Sequence, residues 1–176
     1  MSSRSIIAVQ YGDGFRGRYC HAGGYPTYNG KVLFEEVRAA GVGSLEAFLS
    51  EDGREEYVIE FITSGFLTAD RVMPWTPANS AMWIDSWLSP TVFGGRPSEP
   101  PTSWITPDDT YLWCTEWCYV ASTGGLTVGA VREGGFRGGE WLPDSIKWIG
   151  FYGWHQTPDW EALDDEGDRI RYGDLS

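Results

Sequence analysis

The most reactive side chains of the chain stand together at Tyr19-Cys20-His21, where a thiolate next to an imidazole is the usual make-up of a nucleophile. Their spacing works against that use. Neighbouring residues on a strand point to opposite faces, so Cys20 and His21 pair only if a bulge intervenes. The plainer expectation is a buried cysteine beside a half-exposed histidine. An enzyme acting on a nucleotide or similar small molecule would use Cys20 or His21, with His155 as a distant helper. A zinc site drawing on Cys114, Cys118, Cys20 and His21 has four suitable donors. However, residues four apart on a strand lie ~13 Å apart, too far to share one ion. No metal and no cofactor is therefore expected.

Two further stretches lose their promise on inspection. Asp164-Asp165-Glu166-Gly167-Asp168 lacks the alternating ligands and the closing glutamate of a calcium loop. Gly134 to Gly139 has neither the flanking elements nor the lysine of a phosphate loop, and reads as a flexible turn. The Trp-rich stretch holds more interest. Trp75, Trp83 and Trp87 are candidate stacking platforms for a planar ligand, with Arg71 or Arg96 placed to meet a phosphate. Tyr19, His21 and Tyr25 complete the candidate ligand contacts. The competing reading is that the same indoles cap the open face of a sheet.

Charge narrows the choice of partner. With 25 acidic and 13 basic residues, the formal net charge is -12. Gripping a nucleic-acid backbone needs lysine and arginine to displace counterions, so direct backbone binding is disfavoured. The same field suits a basic protein partner, although it also simply keeps a protein soluble. No apolar run reaches the ~20 residues of a membrane helix, and no signal-peptide pattern is present, so no membrane association is expected and a cytoplasmic location is. Three cysteines in 176 residues do not make a disulfide framework.

The elements that must position these residues follow from pattern. Ser5 to Tyr11 and Phe15 to about His21 alternate as strands around Gly12-Asp13-Gly14, which predicts an N-terminal hairpin. A Gly/Pro/Tyr-rich loop leads to a helix with Leu33, Val37 and Ala40 on one face, Asn29 as N-cap and Gly41 as stop. A second helix is predicted from Ser44, burying Leu45, Phe48 and Leu49. Glu56 to Thr63 reads as a central strand. Arg71 to Asp109 carries most of the ten prolines and reads as a long loop with one short helical stretch, Ser80 to Leu88. Thr110 to Ala121 and Leu126 to Arg132 predict a second hairpin, followed by a strand near Ile146 to Gly153. The acidic segment from Thr157 is expected to be solvated or frayed.

The fold class is therefore α+β: a mainly antiparallel sheet with an N-terminal hairpin, one or two short helices on it and a long Pro/Trp-rich excursion. The domain reading is one α+β domain over 1–156 and an acidic tail over 157–176. An aromatic share of 15% exceeds what such a core needs, which points to a docking surface.

Ser3-Arg4-Ser5-Ile6, the Asp13-Gly14 turn and Tyr19-Cys20-His21-Ala22-Gly23-Gly24-Tyr25-Pro26 together carry a resemblance. They resemble a family of small uncharacterised proteins of bacteriophages and bacteria, including actinobacteria, that show T-R-S-x-I, a D-G turn and Y-C-H-W-D-G-Y-P. The likeness covers roughly the first 40 residues. Ala22 stands where the family has Trp, and Gly23 where it has Asp, so no role of that Asp carries over. The resemblance implies a phage-type or mobile-element accessory protein and assigns it no activity. Read physically, Pro26 and the paired glycines make a tight corner that Tyr19 and Tyr25 brace.

The combined expectation is a non-enzymatic binding protein that engages a host protein or sequesters a small ligand such as a nucleotide, with counter-defence implied by the resemblance alone. The rivals are the enzyme built on Cys20 and His21, and a structural component of a phage particle.

Overall fold

In the computed structural model, residues 3–50, 59, 62, 64–67, 104–109, 112, 115–134, 136–138 and 140–173 are described. The expected helix at Ser80 to Leu88, most of the Glu56 to Thr63 strand, Cys114, and the candidate ligand residues Arg71, Trp75, Trp83, Trp87 and Arg96 lie outside them.

The N-terminal hairpin is formed by β1 (Ser5–Tyr11) and β2 (Gly14–Cys20). Tyr11 faces Gly14 across a two-residue turn, whose Gly12 adopts φ 59°, a conformation natural to glycine. The second hairpin is β3 (Trp117–Ala121) and β4 (Gly125–Arg132). Two residues each make β5 (Phe136–Arg137) and β6 (Glu140–Trp141), and β7 (Ser145–Gly153) then returns along β4. The main sheet has the order β2-β1-β3-β4-β7. Its pairs are antiparallel except β1 with β3, which run parallel and join the two hairpins through a long crossover. The α+β class with a mostly antiparallel sheet is as the pattern indicated.

Helices cover one face of this sheet. The first two are α1 (Lys31–Ala40) and α2 (Val42–Ser50), which bury Leu33, Phe34, Val37, Leu45 and Leu49 against Ile7, Val9, Trp117, Tyr119 and Leu126. Buried Glu36 of α1 accepts backbone hydrogen bonds from Gly65 (2.5 Å) and Leu67 (3.1 Å), which ties a distant turn to the helix.

Three expectations need correction. Asn29 does not cap α1: the chain enters that helix through a π-helical turn, Pro26–Gly30, and Gly30 is itself helical in φ and ψ. Ile59 is not central, because it bridges Cys20 of β2, the outer strand of the sheet. The acidic C-terminal segment is not frayed. It forms a third helix, α3 (Trp160–Tyr172), capped by the Asp159 carboxylate on the Ala162 N–H (3.1 Å), with Glu161 in its first turn and Arg169 and Arg171 in its last. Leu163 and Gly167 of α3 are buried in the same layer as α1, and Asp164 accepts from the Thr27 N–H (3.2 Å) and hydroxyl (2.7 Å).

The opposite face of the sheet is concave. Phe15 on one outer strand meets Trp148 on the other edge to face, with ring centroids 6.2 Å apart. Rings borne four strand spacings apart touch only if the sheet coils over that face. Small residues allow this, since a Cβ on Gly17 would stand 2.7 Å from the Ala8 Cβ and the Ile6 Cγ2. Ile6, Ala8, Phe15, Tyr19, Cys118, Val120 and Val131 fill the hollow, and Ile105 and Leu112 pack onto one end of it.

Candidate functional site

The Tyr19 to Pro26 corner is tied to its surroundings by hydrogen bonds to Ser3, Asn29 and Tyr119. Asn29 lies at its centre, donating through Nδ2 to the Ser5 hydroxyl (3.1 Å), the Ala22 carbonyl (2.9 Å) and the Cys20 Sγ (3.4 Å). The Gly24 N–H reaches the Ser3 carbonyl (3.1 Å), and the Tyr119 hydroxyl donates to the Gly24 carbonyl (2.6 Å). Burial pushes the Tyr119 phenol well above its ordinary pKa, which keeps it the donor. Gly24 packs directly on Arg4, whose backbone would stand 2.7 Å from any Cβ there. Gly23 has φ 69°, and a Cβ on it would sit 2.9 Å from the Asn29 Oδ1. A glycine at position 23 thus fits the local backbone and the seat of Asn29.

The chemically interesting side chains of the corner diverge. Cys20 belongs to the helix-side core, while Tyr19 is buried in the concave cluster, with its hydroxyl 3.4 Å from the His21 Nδ1. No bulge brings the thiol and the imidazole together. Tyr25 turns to the helix side, where its ring packs on Trp117 at 5.9 Å between centroids. The Tyr25 phenol is raised first by burial and then by Asp168 and Glu116. Behind it Arg171 is held by Glu116 (3.0 Å) and Asp168 (3.5 Å), which clamps the end of α3 to the sheet. Glu116 is raised by burial, with Arg171 and Arg4 pulling the other way.

His155 is remote from these groups. Cys20 shares a sheet row with Ser5, Trp117, Ala130 and Lys147, whereas Gly153, two residues before His155, pairs with Gly125 at the other end. The two rows are five residues apart along β4, from Gly125 to Ala130, about 16 Å at ~3.3 Å each. Cys20, His21 and His155 therefore do not assemble as a catalytic set. Cys118 faces the concave side, away from Cys20, and among the described residues no group of three or more His, Cys, Asp or Glu is placed to hold a metal ion.

Two measurements check this placement. Burial, then Arg4, lowers the His21 pKa below 6.5. NMR titration, assigned with a His155→Gln variant, should give His21 a midpoint under that value; a midpoint at or above it contradicts the placement. The unfolded chain binds the proton more readily, so His21 makes stability fall as the pH drops through 6.5 toward the lowered value. Cys20 and Cys118 are both buried, and burial raises the Cys118 thiol far above its usual range. Peptide mapping after iodoacetamide treatment of the folded protein should find both unlabelled, and prompt labelling of either would restore a case for thiol chemistry.

A different site emerges at the mouth of the concave face. A cleft of about 360 Å³ is lined by Gln10, Asp13, Gly14, Val120, Ser122, Thr127, Trp148 and Phe151. Residues 148 and 151 of a regular strand would point to opposite faces. Here the register against β4 slips between Val128 and Gly129, so that Gly129 pairs with Trp148, Val128 with Gly150 and Thr127 with Phe151. That bulge at Ile149 puts both rings on the concave side.

Glycines form the floor beneath the two rings. A Cβ on Gly129 would meet the Trp148 ring at 2.8 Å, and one on Gly125 would meet Phe151 at 2.8 Å. Trp148 remains 50% exposed and Phe151 57%, which is unusual for rings of this size. Gln10 of β1, Asp13 and Ser122 of the two hairpin turns and Thr127 of β4 complete the rim, and no described basic side chain lines it. The site was not found from the sequence, although Gly-x-x-x-Gly in β4 opposite aromatics in β7 was a readable sign of rings lying across glycines.

No family model, no curated protein and no solved structure matches the chain. Fold and site together define a mixed α+β sheet protein with an aromatic cleft in its concave face. Among the described residues, no helix is long and apolar enough to cross a membrane.

Proposed function

We propose that this chain is a non-enzymatic binding protein of phage or mobile-element type, engaging a host protein or sequestering a small ligand, with the mouth of the concave face as its recognition site. One observation carries the reading. The bulge in β7 presents Trp148 and Phe151 side by side on glycine floors at a cleft of about 360 Å³, a size suited to a small ligand or an inserted side chain. The divergence of the Cys20 and His21 side chains and the distance of His155 from both favour binding over turnover. The phage and counter-defence elements rest on the N-terminal resemblance.

The test is a Trp148→Ala/Phe151→Ala double variant, compared with wild type in host-lysate capture and in melting-temperature shifts over a small-ligand panel. Wild type should retain a host partner or gain stability with a ligand, and the folded double variant should lose that response. Full binding by the double variant, or no binding by wild type in either assay, contradicts the proposal.

A further inference from the structure

Building on that reading of the cleft, we infer that its occupant is a cation: an arginine or lysine side chain on a basic segment of a protein partner. Three features converge. Trp148 and Phe151 line the cleft half-exposed, and aromatic rings attract guanidinium and ammonium groups through their quadrupole. Asp13, at the tip of the β1–β2 turn, places a carboxylate on the same rim. Gln10, Ser122 and Thr127 add hydrogen-bond acceptors.

Among the described residues, the neighbouring cations face elsewhere. Arg16 lies on the helix side, paired with Glu46 (2.6 Å), and Lys147 pairs in register with Ala130, which faces the helix core. A phosphate-bearing ligand would find no positive partner among the described lining residues, whereas a cation enters a rim of rings and acceptors. The formal charge of -12 supplies the long-range field that steers a basic protein toward it. A protein segment is the favoured source, because the cleft is open at the mouth of a concave face and the attracting field extends over the whole molecule. A flexible chain carrying several cations exploits both.

The test is titration, followed by indole fluorescence and calorimetry, with a short peptide of alternating glycine and arginine. Its glycine-glutamate counterpart, arginine amide and adenosine serve as the other probes. The arginine peptide should bind, more weakly as salt rises, while the acidic peptide and adenosine do not. Asp13→Asn and Phe151→Ala should each weaken it by roughly three- to tenfold. Glu161→Gln, which removes one charge from the exposed side of α3, should change it by less than about twofold. Trp148→Leu, which keeps apolar bulk beside Phe15, should behave like Phe151→Ala.

If Asp13→Asn does no more than Glu161→Gln, only net charge is at work and the inference fails. If arginine amide binds as tightly as the peptide, a protein segment is overturned as the occupant. Binding of adenosine that is lost in the Trp148→Ala/Phe151→Ala variant keeps the recognition site but overturns the cation. Absence of any probe binding overturns the cation, and the recognition site falls with it only if host-partner capture is also unaffected in the double variant.

Discussion

Replacing Gly167 with alanine should destabilise the protein by about 3 kcal/mol and lower its melting temperature by roughly 6–12 °C, as one methyl group forces α3 off the sheet. Gly167 lies in the middle of α3 with the Trp117 ring against its backbone, and a Cβ there would fall inside the ring. Trp117 has no room to retreat: it is fully buried between the helix and Tyr25, and shape alone fixes it, since its indole N–H has no acceptor among the described residues. The helix must move instead. That would loosen the Thr27–Asp164 hydrogen bonds and the Arg171 clamp on Glu116 together. Thermal and urea denaturation would check it, with exposed Asp165→Ala as the control expected to stay within about 0.5 kcal/mol. A Gly167→Ala protein as stable as wild type would mean that α3 does not dock as described.

The second large effect is expected at Asn29. Asn29→Ala should cost about 2–3 kcal/mol, because it leaves the Ser5 hydroxyl and the Ala22 carbonyl short of a donor at a buried corner. Asn29→Asp is the sharper probe. It keeps the shape but sets a carboxylate against the Ala22 carbonyl, so it should be at least as damaging at neutral pH. It should recover stability as the pH falls, because the protonated acid again offers a donor: its folded pKa is raised, and the loss sets in as the pH rises through it. Denaturant unfolding of both variants across pH would check this, and equal, pH-independent stabilities would contradict the network. Binding at the distant cleft should survive in either variant that stays folded.

How much of this was legible in the sequence depended on whether local pattern or tertiary contact decided each element. Both hairpins and α1 were readable, because alternation, turn glycines and an amphipathic stripe are local signals. The parallel β1–β3 pairing was not, since it joins Ser5 to Trp117 and no local pattern records it. The C-terminal helix escapes a local reading because five acidic residues mask its buried stripe. Trp160, Leu163, Gly167 and Ile170 follow helical spacing, but the central position is a glycine, which counts as polar until the Trp117 ring is seen to fill its place. Asn29 had the type and position of a helix cap, and tertiary acceptors claimed its side chain instead.

For the site, the alternation rule correctly separated Cys20 from His21. It would equally have separated Trp148 from Phe151, and a bulge set by long-range pairing overrules it there. The surplus of aromatic rings was therefore visible as a quantity before their place was.

The most direct test is to map the backbone and indole NMR shifts of the full chain on titration with the glycine-arginine peptide. The expected perturbations centre on Gln10 to Gly14, Val120 to Thr127 and Trp148 to Phe151, with the Trp148 indole among the largest. Perturbations centred on Tyr19 to Pro26 or on α3, with the Trp148 indole unmoved, would contradict recognition at the concave face.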